Sequence, residues 1–149
     1  MSHAFLALLG WDERLDVFVA GLPPEHVVGR VTRVDRGRCT VTAAGGDHRP
    51  HLQDPVAVGD WVALTPEGER ILEVLPRRSA LVRRAAGDRT ASQTMAANVD
   101  HVLLVHGLDR GVNRRRLERE LVLAWDSGAV PIVVLTKADL GADVTTAVE

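Results

Sequence analysis

From residue 27 to residue 75, apolar positions recur in short runs of period two, separated by glycine-containing turns. That pattern predicts a small antiparallel β domain. Val27, Val28, Val31 and Val34 mark a first strand, Asp35-Arg36-Gly37 a turn, Cys39 to Thr42 a second strand, and Gly45-Gly46-Asp47 another break. Val58-Gly59-Asp60-Trp61-Val62-Ala63-Leu64 then alternates, Pro66-Glu67-Gly68 turns the chain, and Arg70 to Leu75 returns as the hairpin partner. Short strands this closely spaced favour a small barrel over a sandwich. Before them, residues 1–26 combine an apolar helix-like stretch with Pro23-Pro24, and read as an N-terminal extension without a core of its own.

The period changes beyond residue 92. Val99 to Val105 is a strand candidate, Asn113 can cap a helix, and Leu117, Leu121 and Ala124 or Trp125 recur at helical spacing until Gly128 ends it. Pro131 to Leu135 is the next strand, a β-branched run suited to burial on both faces. These elements form one β-α-β unit with parallel strands and a right-handed crossover. The expected class is therefore mixed. An all-β barrel over residues 27–86 precedes a partial α/β domain with a parallel sheet over residues 92–149.

Composition narrows the chemistry. The 149 residues are 46% hydrophobic and 26% charged, as in soluble globular chains. Ala4 to Leu9 is too short to span a bilayer and has no basic flank or cleavage pattern, so neither membrane span nor targeting signal is expected. A single cysteine, Cys39, excludes an internal disulfide or a cysteine-cluster metal site within these residues, and fits a reducing cytoplasm. His48 and His51 flank Arg49-Pro50 in a polar loop, and His101 and His106 bracket a strand; neither pair has metal-ligand spacing. No metal site is expected here.

Net charge is −2, but it is unevenly spread. Residues 1–26 hold one Arg against four acids, residues 27–90 eleven Arg against eight, and residues 91–149 six cations against eight. Within the basic middle, Arg77, Arg78, Arg83, Arg84 and Arg89 face only Asp88, a cluster able to meet a phosphate backbone. A solvated linker between two domains is the alternative. Trp61 is the one aromatic residue between 27 and 90, so RNA binding there would grip backbone or folded RNA through Arg rather than stack bases. Arg114, Arg115 and Arg116 stand in the first turn of the predicted helix, where cations oppose the helix dipole.

Lys137 is one lysine among seventeen arginines, in Thr136-Lys137-Ala138-Asp139 directly after the second parallel strand. A loop leaving the carboxyl end of such a strand is where open α/β sheets bind ligands. The aliphatic stem of a lysine can lie along a purine face, and a carboxylate two residues on can accept both N1–H and the 2-amino group of guanine. Adenine lacks that edge, and the unpaired carboxylate then disfavours it. A plain strand-to-helix turn, with Asp139 as a cap and Lys137 solvated, stays open as the alternative.

The order of these parts, with Gly10-Trp11, Val58-Gly59-Asp60-Trp61-Val62, Arg77, Arg83-Arg84, Gln93, Ala97-Asn98-Val99-Asp100 and Thr-Lys-Ala-Asp-Leu, resembles the ribosome small-subunit-dependent GTPase A family of circularly permuted GTPases. The resemblance implies an OB-fold contacting rRNA, then a permuted G domain in which the guanine loop precedes the phosphate loop, then a zinc-binding domain. It implies GTP hydrolysis stimulated by the small ribosomal subunit during its late maturation, by a cytoplasmic and monomeric factor. Thr136, Lys137, Ala138 and Asp139 correspond to its guanine-recognition motif, with Thr136 where Asn is commoner among GTPases. No Gly-x-x-x-x-Gly-Lys-[Ser/Thr] occurs in the 149 residues, so neither the phosphate cradle nor its Mg²⁺-binding hydroxyl is among them. The chain thus reads as the amino-terminal part of a longer enzyme, or a truncated product, inactive in GTP hydrolysis by itself. Other readings are a stand-alone OB-type RNA-binding module without nucleotide chemistry and a dinucleotide enzyme. Gly107-Leu108-Asp109-Arg110-Gly111 lacks the glycine spacing of the latter.

Overall fold

Residues 3–84 and 92–140 are described by the structure, a computed structural model. The chain divides into two compact units, Met1–Asn98 and Val99–Glu149.

In the first unit, β1 (Val27–Asp35), β2 (Arg38–Ala43), β3 (Gly46–His48), β4 (Trp61–Leu64) and β5 (Ile71–Val74) form one sheet in the order β3-β2-β1-β4-β5. Every pairing in it is antiparallel. Gly45-Gly46-Asp47, expected as a plain break, is the tight end of a hairpin, because Ala43 pairs with Gly46 and the chain continues into β3. His51 makes single-residue bridges to Arg38 in β2 and to Arg70 just before β5. The two sides of the sheet therefore approach one another through this residue.

β4 is buried at all four positions because each of its faces meets a different core. Trp61 joins Leu6, Leu15, Val19, Val28 and Leu75, while Val62 and Leu64 join Val31, Cys39 and Val41. The first of these clusters is where residues 5–22 pack. Helix α1 (His3–Leu8) contributes Leu6, a 3-10 turn over Glu13–Leu15 contributes Leu15, and the short α2 (Asp16–Val19) contributes Val19. Asp12 opens the 3-10 turn by accepting the Arg14 N–H at 3.0 Å. The Arg14 guanidinium and N–H together bring the Asp12 carboxyl down to about 2. The rings of Trp11 and Trp61 meet edge to face at 4.8 Å, a geometry that sets ring edge against π face.

The expected strand Val58–Leu64 is shorter than its alternation predicted, and Gly59 is the reason. It has φ +94, and a Cβ on it would lie 2.0 Å from the carbonyl oxygen of Ala97, so only glycine permits this approach. Around it the Val58-Gly59-Asp60-Trp61-Val62 segment acts as a joint. Ala97 N–H donates to Val58 O at 2.9 Å, Asn98 Nδ2 to Gly59 O at 2.9 Å, and Arg30 Nη2 to Asn98 O at 3.0 Å. Asn98 has φ 52, tolerable for an asparagine whose side chain and backbone are all engaged: its Oδ1 accepts the Arg78 N–H at 2.9 Å.

The basic stretch read as a cluster or a solvated linker contains a strand. β6 (Ala80–Arg84) pairs antiparallel with β7 (Ser92–Ala97), from Ala80↔Ala97 to Arg84↔Ser92. Residues 92–98 accordingly sit with the first unit, whereas the sequence pattern began the second domain at 92.

In the second unit, β8 (His101–Gly107) and β9 (Val130–Thr136) are parallel and in continuous register, His101↔Val130 to Gly107↔Thr136. Helix α3 (Arg114–Asp126) connects them after a 3-10 turn over Leu108–Arg110. Asn113 caps α3 by accepting the Arg116 N–H at 3.0 Å, and Gly128 ends the turn beyond it at φ 83. Ala124 is the buried residue of α3, and Trp125 is 60% exposed, which settles which of the two faces the sheet. β9 is not buried on both faces as its composition predicted: Ile132 and Val133 are about two-fifths exposed. Among the described residues it has one partner strand and one covering helix, too little to enclose it.

Candidate functional site: the turn after β9

Because β8 and β9 are parallel, the turns that follow them leave the same end of the sheet. One carries Gly107, Leu108 and Asp109; the other carries Thr136 to Asp139. Thr136 closes the strand pair, its hydroxyl donating to His106 O at 3.3 Å. That tie is available to a hydroxyl at the position where an amide was the commoner expectation. Lys137 takes φ 56, and Leu140 N–H donates back to Lys137 O at 3.0 Å, so residues 137–140 form a closed turn. Lys137 Nζ reaches Asp109 Oδ2 at 2.8 Å. This hydrogen bond holds the Asp109 carboxyl below the ordinary carboxylate range. The ion pair is therefore complete above that range and is lost as pH falls through the lowered value.

Lys137, Ala138 and Asp139 are all exposed. Among the described residues the Asp139 carboxylate has no hydrogen bond or ion pair, and it is exposed. The alternative in which Asp139 caps a following helix falls on residues 141–149, outside the described residues.

Asp109 was not singled out from the sequence. It stood in a segment read only for its missing dinucleotide spacing, and nothing local marks an acid two residues past a strand. Beneath the site, His106 is 8% exposed and its Nε2 lies 2.8 Å from Glu120 Oε2, while Arg116 Nε donates to Glu120 Oε1 at 2.7 Å. Arg116, and next His106, keep the Glu120 carboxyl low. Arg116 thus offsets its unfavourable place in the first turn by an i,i+4 pair with Glu120.

The four arginines expected to meet RNA are not equivalent. Arg77 forms a two-pronged pair with Asp60, Nε to Oδ1 and Nη2 to Oδ2 both at 2.7 Å. Asp60 is fully buried and also accepts the Ala57 N–H at 2.8 Å. Arg78 is exposed and continues from it. Arg83 is exposed and its guanidinium rests on Gln93 Oε1 at 3.1 and 3.3 Å. The Arg84 side chain, Asp88 and Arg89 lie outside the described residues. No group of three His, Cys, Asp or Glu side chains able to hold a metal is present among the described residues. No described helix is long and apolar enough to cross a membrane.

The chain is similar in fold to circularly permuted GTPases. Two solved structures are similar: YloQ, a circularly permuted GTPase, with TM-score 0.62 and 23% identity, and YjeQ from Thermotoga maritima, with TM-score 0.61 and 25% identity. Each alignment covers 81% of this chain and 44% of the other. The RsgA GTPase family model matches residues 74–149, half of the chain, and the chain belongs to that family. The small ribosomal subunit biogenesis GTPases RsgA of Streptomyces coelicolor and Streptomyces avermitilis are 44% and 45% identical to it over 97% of its length. The chain spans 43% and 42% of those relatives, less than half of either.

Proposed function

We propose that this chain supplies the guanine-recognition loop and an rRNA-contacting domain of a GTP-binding and GTP-hydrolysing factor for late maturation of the small ribosomal subunit. The observation that carries the proposal is the exposed Lys137–Asp139 segment after Thr136, with Asp139 unpartnered among the described residues. Lys137 supplies a stem for the base face, and Asp139 accepts from N1–H and the 2-amino group. Ala138 keeps the turn small between them. The residues present suit the base of GTP but not Mg²⁺, since no phosphate loop supplies a hydroxyl ligand. Hydrolysis at an enzymatic rate therefore needs a phosphate loop that these 149 residues lack. The five-stranded sheet, whose sides approach through His51, is the OB-type barrel of this factor, which acts as a monomer in the cytoplasm.

The nucleotide assignment is tested by competition for a fluorescent guanine nucleotide on the intact gene product. GDP should displace it at concentrations at least a hundredfold below ADP; equal displacement by ADP would discard the guanine reading. For RNA, Arg78, Arg83 and Arg84 are the candidate contacts; Arg77 is held on the buried Asp60. Arg83→Ala with Arg84→Ala should weaken association with the small subunit and reduce the salt slope of binding by about two. GTP affinity should not change. An identical salt titration for the variant and the parent chain would remove these two arginines from the interface.

A further inference from the structure

We infer that Asp109 is the positioning residue for Lys137, fixing its ammonium so that the aliphatic stem is laid in place for a purine before nucleotide arrives. The inference rests on the guanine-loop reading above and adds a residue to it. Lysine carries many rotamers, and ordering it on binding costs affinity. Here that ordering precedes the ligand: the backbone is left-handed at φ 56, and Nζ is 2.8 Å from Asp109 Oδ2. A left-handed lysine is unfavourable by itself and persists where its surroundings hold it.

Gly107 makes the arrangement possible. A Cβ there would sit 3.5 and 3.7 Å from Lys137 Cδ and Cε, ordinary contact, but 2.6 Å from Asp109 Oδ1. The bare glycine thus lets the Asp109 carboxylate turn in beside the strand end while the lysine stem passes over it. Both partners keep water contact, with side chains 53% and 27% exposed for Lys137 and Asp109. Exposed ion pairs of this kind add little to stability. A role in holding the fold therefore does not account for an acid that meets the one lysine of the chain, whereas a role in presenting that lysine does.

The test is a double-mutant cycle read by GDP affinity in the intact gene product, with XDP as the second ligand. Asp109→Asn should weaken GDP about two- to tenfold, with Asp109→Glu between it and the parent. The GDP-over-XDP preference should stay, because Asp139 is untouched. In a Lys137→Met background, which keeps a stem but removes the ammonium, Asp109→Asn should have no further effect. Gly107→Ala should behave like Asp109→Asn, since the displaced atom is the end of a side chain. In the 149-residue chain itself, acylation of Lys137, referenced to the α-amine, should run severalfold faster in Asp109→Asn and Gly107→Ala. Unchanged or tighter GDP binding by Asp109→Asn, or an equal loss in the Lys137→Met background, overturns the inference. Loss of guanine preference in the parent chain overturns the guanine reading and this inference with it. The acylation rates tell these failures apart, because they report the pair without any nucleotide.

Discussion

Asp139→Asn, in a chain carried through a phosphate loop, should lose GTP and gain XTP. The carboxylate accepts from two donors on guanine, N1–H and the 2-amino group, and each charge-assisted bond contributes about 1.5–3 kcal/mol. An amide keeps one acceptor for N1–H but turns an N–H toward the 2-amino group, so two donors face each other. Affinity for GTP should fall about a hundredfold, close to 2.7 kcal/mol. Xanthine has an oxygen at that position and accepts the new donor, so XTP should bind the variant better than GTP does. The check is equilibrium binding of both nucleotides to both proteins. An unchanged order of preference would show that this carboxylate does not read the base.

Arg77→Ala should destabilise the first unit by about 3 kcal/mol, measured by urea denaturation. The cause is the residue left behind. Asp60 is fully buried, its two oxygens are met by Arg77 at 2.7 Å each, and among the described residues the Ala57 N–H is what would remain to it. Removing one partner of a buried pair costs more than the pair contributes, because the other charge stays in the core. Arg77→Lys should recover only part of the loss, since an ammonium cannot present two parallel N–H groups to the carboxylate. If Arg77→Ala unfolds within about 0.5 kcal/mol of the parent, the guanidinium is dispensable to the fold and becomes a surface cation available to RNA.

These two residues also mark how much the sequence disclosed. Strand and helix periods placed β1, β2, β5, α3 and β9 nearly to the residue, with Asn113 and Gly128 as the ends of the helix. Local chemistry dominates there, and local chemistry is what a sequence displays. Asp60 and Arg77, by contrast, are seventeen positions apart, and burial of the acid is what turns the arginine inward. Charge counting along the chain put Arg77 with Arg78, Arg83 and Arg84, since it cannot know which acid faces the core. The β6–β7 hairpin escaped for a similar reason: its strands are polar, and its docking depends on a glycine carrying no Cβ against Ala97. At the proposed guanine loop the motif was legible because its four residues are contiguous. Its partner Asp109 lies across the strand pair, and only the parallel register brings it within reach.

The tryptophans have a practical consequence. Trp61 is 1% exposed and in edge contact with Trp11, both in the first unit, whereas Trp125 stands 60% exposed on the second. Intrinsic emission is therefore divided by wavelength: a blue component from the shielded pair and a red, iodide-quenchable one from the lone indole. Melting followed at the blue edge registers the β-sheet unit, and quenching at the red edge registers the end of the helix that leads into β9, without a dye on either.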